Sequence, residues 1–167
     1  MSVFSPSSPL SLSLVRMTVN GRPVEREAAA STTLAEYLAG ALKAETPERR
    51  RAEGLEGPAV VMMNGESVKA GLVLAVSAAS AQIRSYGGLA RHDGVLTPLQ
   101  RAFHEAGAML CPDCAPSLVM SALDLLNRNP IPSEAEIRDW LEDSLCPVSD
   151  ADRAVAAVLA AAAATRS

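Results

Sequence analysis

Two Asn-Gly dipeptides, Asn20-Gly21 and Asn64-Gly65, each sit between short runs of β-forming residues. Both central positions of a type I′ turn need positive φ, which Gly adopts freely and Asn tolerates, so each dipeptide predicts a two-residue hairpin. Leu14 to Val19 reads as the first strand of one hairpin and Arg22 to Glu27 as its return. Ala59 to Met63 reads as the strand before the second turn, Ser67 to Ala75 as extended chain after it, and Gln82 to Tyr86 as a short last strand. Between the hairpins, Thr33 with Glu36 three residues on forms a capping box, and Leu34, Leu38 and Leu42 share one face of the helix it opens. The polar stretch Glu45 to Glu56 lacks a consistent apolar face and reads as loop. Two hairpins flanking one helix make an α+β pattern.

Near residue 90 the apolar period changes from strand-like to helical. Thr97-Pro98-Leu99-Gln100 is a capping signal with Pro at the first helical position, and Leu99, Phe103, Ala106 and Leu110 follow on one face. A second helix is predicted from about Pro116 to Leu126, and a third opens at the capping box Ser133 to Glu136 and carries Ile137, Trp140, Leu141 and Leu145. Ser149 with Asp152 predicts the cap of a fourth, which runs into the alanine tract Ala156 to Ala164. Trp140 reads as a core residue. Four short helices suffice for a bundle.

Several function classes fall away on composition. Aromatic residues are only 3% of the 167, too few for base-stacking platforms, and a net charge of −4 provides no footprint for DNA, RNA or anionic lipid. Apolar residues at 49% are enough for a core, but no run approaches the roughly 18 that a membrane helix needs. The N-terminal stretch has no basic residue before its apolar part, and Pro6 and Pro9 interrupt that part. Residues 1–12 therefore read as a disordered lead, and the expected address is the cytoplasm. His92, in Arg91-His92-Asp93-Gly94, reads as a solvated linker residue, and Arg49-Arg50-Arg51 as a solvated charge run.

One constellation can carry chemistry. Cys111-Pro112-Asp113-Cys114 falls in the turn between the first two helices of this half and Cys146 in the turn between the last two; in a bundle these turns can share one end. Thiolates presented from tight turns suit soft metals or iron–sulfur clusters, yet three are one short of a closed site. An odd cysteine count with one C-x-x-C excludes a disulfide framework. Four readings stay open: buried small apolar residues, a 2Fe-2S cluster completed by Asp113, Ser149, Asp150 or a partner's residue, zinc completed by His104 or a carboxylate, and a thiol–disulfide pair.

The stretches Pro98 to Phe103, Cys111-x-x-Cys114-x-Pro116, Val119 to Ala122, Arg128-Asn129-Pro130, Glu136-Ile137-Arg138 and Leu145-Cys146 resemble one family. It is the small iron–sulfur subunit of molybdenum hydroxylases, of the xanthine dehydrogenase and carbon monoxide dehydrogenase type. Thr18 to Val24, Thr33-Leu34, Asn64-Gly65, Leu72 to Ala75 and Gly88-Leu89-Ala90 agree with its N-terminal half. The resemblance covers about residues 13–158. It implies a β-grasp ferredoxin-like domain over 13–90 followed by a four-helix 2Fe-2S-binding-type domain over 91–167. It also implies an oxidoreductase complex in which electrons pass from a molybdopterin-binding large subunit to a flavin-binding medium subunit.

The chain departs from that family at the ligand positions. The plant-type spacing C-x4-C-x2-C, with a fourth thiolate about a dozen residues later, falls on Arg51, Glu56, Ala59 and Gly71, and no cysteine precedes Cys111. The N-terminal cluster is expected to be lost, and its loop, ERRRAEGLEG, to be charged and mobile. In the helical half the family's later C-x-C is Cys146-Pro147-Val148, so Val148 stands where the fourth thiolate belongs, and Leu110 replaces a glutamine beside the pterin. The expectation is a small subunit with at most one 2Fe-2S cluster, on Cys111, Cys114 and Cys146. The alternative is a cluster-free structural or docking subunit of the same kind of complex.

Overall fold

The computed structural model describes residues 11–90 and 94–165. Strand β1 (Leu12–Val19) pairs antiparallel with β2 (Arg22–Ala29), with Val19 opposite Arg22 across the two-residue turn. Asn20 and Gly21 have φ of 50° and 77°, and Asn64 and Gly65 have 53° and 92°, so both predicted hairpins form. The second joins β3 (Val60–Met63) to β4 (Glu66–Lys69). With β5 (Gln82–Arg84), which runs parallel to β1 and antiparallel to β3, they make one five-stranded sheet in the order β2-β1-β5-β3-β4.

Helix α1 (Leu34–Ala41) starts at the Thr33–Glu36 capping box and buries Leu34 and Leu38 against Val15, Met17 and Val19 of β1. Tyr37 joins that core because its hydroxyl donates to the Val15 carbonyl, 2.9 Å away. Strand β3 lies between two cores. Val60 and Met62 face the helical half and Val61 faces α1's side, as the period of two along a strand requires. A strand covered on both faces reads as an unbroken apolar run.

The helical half contains α3 (Pro98–Glu105), α4 (Ala115–Arg128), α5 (Glu134–Leu141) and α6 (Ala151–Ala164). Phe103, Leu118, Met120, Ile137, Leu141 and Val158 are fully buried together, each contributing about 1.5–3 kcal/mol of apolar transfer. Ala154, Ala157 and Ala161 let α6 lie close against α3. Helix α4 is also tied to the sheet. Asp124 accepts from the Ser67 amide at 3.0 Å and the Ser67 hydroxyl at 2.6 Å, and Ser117 Oγ accepts from the Val60 amide at 3.3 Å. Among the described residues the architecture is therefore α+β, with six α-helices and one sheet.

Three sequence expectations change. The stretch read as a mobile loop contains helix α2 (Pro47–Glu53). Thr46 caps it, Pro47 sits in its first turn, and Gly54 ends it in the left-handed conformation. It buries no residue of its own, which is why no apolar stripe announced it. Secondly, the extension after Asn64-Gly65 stops at Lys69 and gives way to two single-turn 3-10 helices, Ala70–Leu72 and Ala75–Ala78. The Ala70 amide donates to Ala59, closing the ladder there. Thirdly, β1 begins at Leu12, inside the stretch read as a lead, because Leu12 and Ser13 stand opposite Ala29 and Ala28. Residues 1–10 and His92 lie outside the described residues.

Candidate metal centre

Cys111 and Cys114 occupy the turn between α3 and α4, and Cys146 the segment between α5 and α6. The two turns meet at one end of the helices, and the three sulfurs lie within 4.8 Å of one another. None is in a disulfide. The first turn closes on itself: the Cys114 amide donates to Cys111 Sγ at 3.3 Å and the Ala115 amide to the Cys111 carbonyl at 2.9 Å. In the second, the Ser149 amide donates to the Cys146 carbonyl at 2.8 Å, while Ser149 Oγ accepts from the Cys146 amide at 3.2 Å and lies 3.3 Å from Cys146 Sγ. A buried hydroxyl pair, Ser121 and Ser144 at 2.9 Å, ties the segment leading to Cys146 onto α4.

The thiols differ in acidity. The Ser149 hydroxyl, with help from the Cys114 thiol and the Val148 amide, stabilises the Cys146 thiolate and brings its pKa down to about 6. Burial, followed by the neighbouring thiols, pushes Cys114 up. A half-exposed thiolate beside buried sulfur is a soft donor set, able to hold zinc, copper or iron–sulfur units rather than hard cations.

The other residues suggested as donors are occupied or distant. Asp113 is ion-paired to Arg51 of α2. Asp150, not Ser149, is the N-cap of α6: its Oδ1 accepts from the Arg153 amide at 3.0 Å and its Oδ2 pairs with Arg153 Nε at 3.1 Å. His104 is exposed on α3, and among the described residues no histidine or carboxylate joins the three-sulfur group. Leu110 and Val148, each within two residues of a cysteine, are exposed apolar side chains at 49% and 61%. Trp140 is not a core residue; it lies half-exposed at the edge of α5, where its indole N–H reaches the Ser121 carbonyl at 3.0 Å and its ring meets the Arg128 guanidinium.

Residues 85–159, which contain all three cysteines, match the 2Fe-2S binding domain family. Nicotine 6-hydroxylase small subunit from Paenarthrobacter nicotinovorans is 33% identical over 159 residues, covering 95% of this chain and 93% of that one. The chain belongs to the small iron–sulfur subunits of the molybdenum hydroxylases. Caffeine dehydrogenase subunit gamma from Pseudomonas sp. strain CBB1 is 34% identical over 82% of this chain and 83% of that one. Among solved structures, quinoline 2-oxidoreductase from Pseudomonas putida 86 is similar with a TM-score of 0.80 at 25% identity, over 93% of this chain and 96% of that one.

For a small iron–sulfur subunit, the donors present fit an iron–sulfur cluster in kind: soft sulfurs that converge from two turns. Among the positions the family resemblance assigned to the N-terminal cluster, Arg51 is ion-paired, Ala59 is buried, and Gly71 is exposed in a 3-10 turn. No helix among the described residues is long and apolar enough to cross a membrane.

Proposed function

We propose that the chain is an electron-carrying small subunit of a molybdenum hydroxylase-type oxidoreductase, with one 2Fe-2S cluster in its helical half and none in its sheet half. The convergence of Cys111, Cys114 and Cys146 sulfurs within 4.8 Å, from two turns far apart in sequence, carries this reading. In this proposal the sheet half is a β-grasp domain, the last four helices form a bundle, and 13–90 and 91–167 are the two domains.

A bound cluster supplies one-electron storage. The protein's contribution is to aim three thiolates from backbone-closed turns, to keep Cys114 buried among helix α4's neighbours, and to leave Cys146 half-exposed toward the surface. The exposed apolar side chains of Leu110 and Val148 favour being covered, which suits docking on a molybdopterin-binding large subunit with a flavin-binding subunit beyond it. Leu110 has no group to hydrogen-bond a pterin, so it contributes apolar contact alone. The proposed address is the cytoplasm.

A cluster-free docking subunit is the second reading, and α2 favours it. That helix refills the region of the lost ligands with a capped element anchored by Arg51 to Asp113 and by Glu53 to Ser85, an arrangement built for rigidity. Anaerobic co-expression with cluster-assembly machinery and a large subunit separates the two. The electron-carrying reading expects brown protein with about two irons and two sulfides per chain, co-purifying with the large subunit. Colourless protein that still co-purifies leaves only the docking reading, and failure to co-purify removes both.

A further inference from the structure

The two turns of the centre repeat one pattern. Cys111-Pro112-Asp113-Cys114 and Cys146-Pro147-Val148-Ser149 are both Cys-Pro-x followed by a residue that reaches back to the first sulfur, through its backbone amide in the first turn and its hydroxyl in the second. In the first turn that residue is a cysteine. In the second it is a serine, whose Oγ lies 3.3 Å from the first sulfur.

We propose that Ser149 Oγ is the fourth ligand of the centre held by Cys111, Cys114 and Cys146. The proposal rests on the reading of that centre as a 2Fe-2S site. The family's spacing would put the fourth donor on Val148, but its side chain is apolar and 61% exposed. One residue further on, Ser149 Oγ lies 3.3 Å from Cys146 Sγ. A thiolate at about 2.3 Å and an oxygen at about 2.0 Å from one tetrahedral metal stand about 3.5 Å apart, so the pair is already near the spacing of two donors on one iron.

The alternatives are taken. Asp113 is held by Arg51, and both oxygens of Asp150 are engaged by Arg153. Ser149 would have been the natural cap of α6, but Asp150 does that work and leaves the hydroxyl directed at Cys146. On binding, the Ser149 hydroxyl loses its proton to water as the O–Fe bond forms, and no electron moves in that step. An alkoxide is a harder donor than a thiolate and favours the ferric state, so a Cys3Ser centre has a lower reduction potential than one with four thiolates.

The test uses the full-length protein, reconstituted anaerobically with ferric iron and sulfide, alongside Ser149→Ala and Ser149→Cys. Iron and sulfide content, visible absorption, EPR after dithionite, and thermal unfolding of each unloaded protein are measured. Expected are wild type with about two irons and two sulfides, Ser149→Ala with at least about tenfold less of both at unchanged unfolding temperature, and Ser149→Cys fully loaded. The cysteine variant should absorb at longer wavelength and have a higher reduction potential, because thiolate-to-iron charge transfer is lower in energy than alkoxide-to-iron. A Ser149→Ala protein with the iron, sulfide and spectrum of wild type overturns the proposal and leaves the electron-carrying reading standing. Loss of the cluster in both variants also overturns it, since then the hydroxyl serves the turn and not the metal. Wild type that takes up neither iron nor sulfide overturns both the proposal and the reading beneath it.

Discussion

The Arg51 guanidinium on α2 is paired with the carboxylate of Asp113, the residue between Pro112 and Cys114 in the metal-centre turn. Arg51 stands where the family resemblance put the first thiolate of the N-terminal cluster. A contact thus joins the sheet half's α2 to the turn that carries Cys111 and Cys114. Asp113 raises the Arg51 pKa by hydrogen bond and charge.

Both side chains of that pair are about two-fifths exposed, at 41% and 42%, so solvent screens the interaction. Arg51→Ala is expected to lower the urea midpoint only slightly at low salt, and the difference should vanish at about 1 M salt. Urea unfolding of both proteins at two salt concentrations checks this. A loss that persists undiminished in high salt would show that Arg51 acts through packing instead.

Gly54 ends α2 at φ +72°, and a Cβ there would meet Tyr86 Cβ at 2.7 Å and Pro116 Cβ at 3.1 Å. Gly65, at φ +92° in the second hairpin, has nothing within 4 Å of the same position. Gly65→Ala should therefore cost only backbone strain, about 1–2 kcal/mol, and Gly54→Ala distinctly more, because two packed side chains must also move. Equal losses in denaturant unfolding would contradict the tight packing of α2 on the helical half.

Asp124 is 2% exposed on α4 and links it to Ser67 of β4. Burial opposes its ionisation, but hydrogen bonds from Ser67 and Arg128 outweigh that and lower its pKa. A depressed pKa means the contribution is complete above the unfolded-state value of about 3.9 and is lost as pH falls through the lower folded-state value. Asp124→Asn should cost about 1.5–3 kcal/mol near neutral pH, with the gap to wild type narrowing in acid. Chemical unfolding of both across that range is the measurement. A gap independent of pH would mean that shape, and not charge, is what α4 needs from this side chain.

In metal-free protein the thiols should alkylate in order. Cys146, half-exposed with a pKa of about 6, reacts first at neutral pH and slows as pH falls through that value. Cys114 is 8% exposed and its pKa is raised, so it reacts last. Peptide mass spectrometry after brief iodoacetamide treatment reads the order directly, and Cys114 reacting first would contradict the described burial.

Asn20-Gly21, Asn64-Gly65, the Thr33–Glu36 and Ser133–Glu136 boxes, and Pro98 behind Thr97 were legible because each is a local signal whose energy is spent within a few residues. Helix α2 had the same kinds of mark in Thr46-Pro47 and Gly54, and they were outweighed by its missing apolar stripe. Trp140 matched the stripe of α5, but its N–H needs an acceptor, and the nearest one, the Ser121 carbonyl, holds it at the edge.

Local chemistry alone determined the hairpins, the helix caps, the α+β order and which three residues had sulfur to offer. Folding in three dimensions decided whether those sulfurs meet. That depends on α3, α4, α5 and α6 bringing two turns, separated by more than thirty residues of chain, to the same end of the molecule. It also decided which of the neighbouring side chains caps α6. Ser149 and Asp150 are adjacent and both can cap a helix, so no sequence rule separates them. Only the packed structure does, because Arg153 and the α6 amides take the carboxylate and the closed turn at Cys146 keeps the hydroxyl.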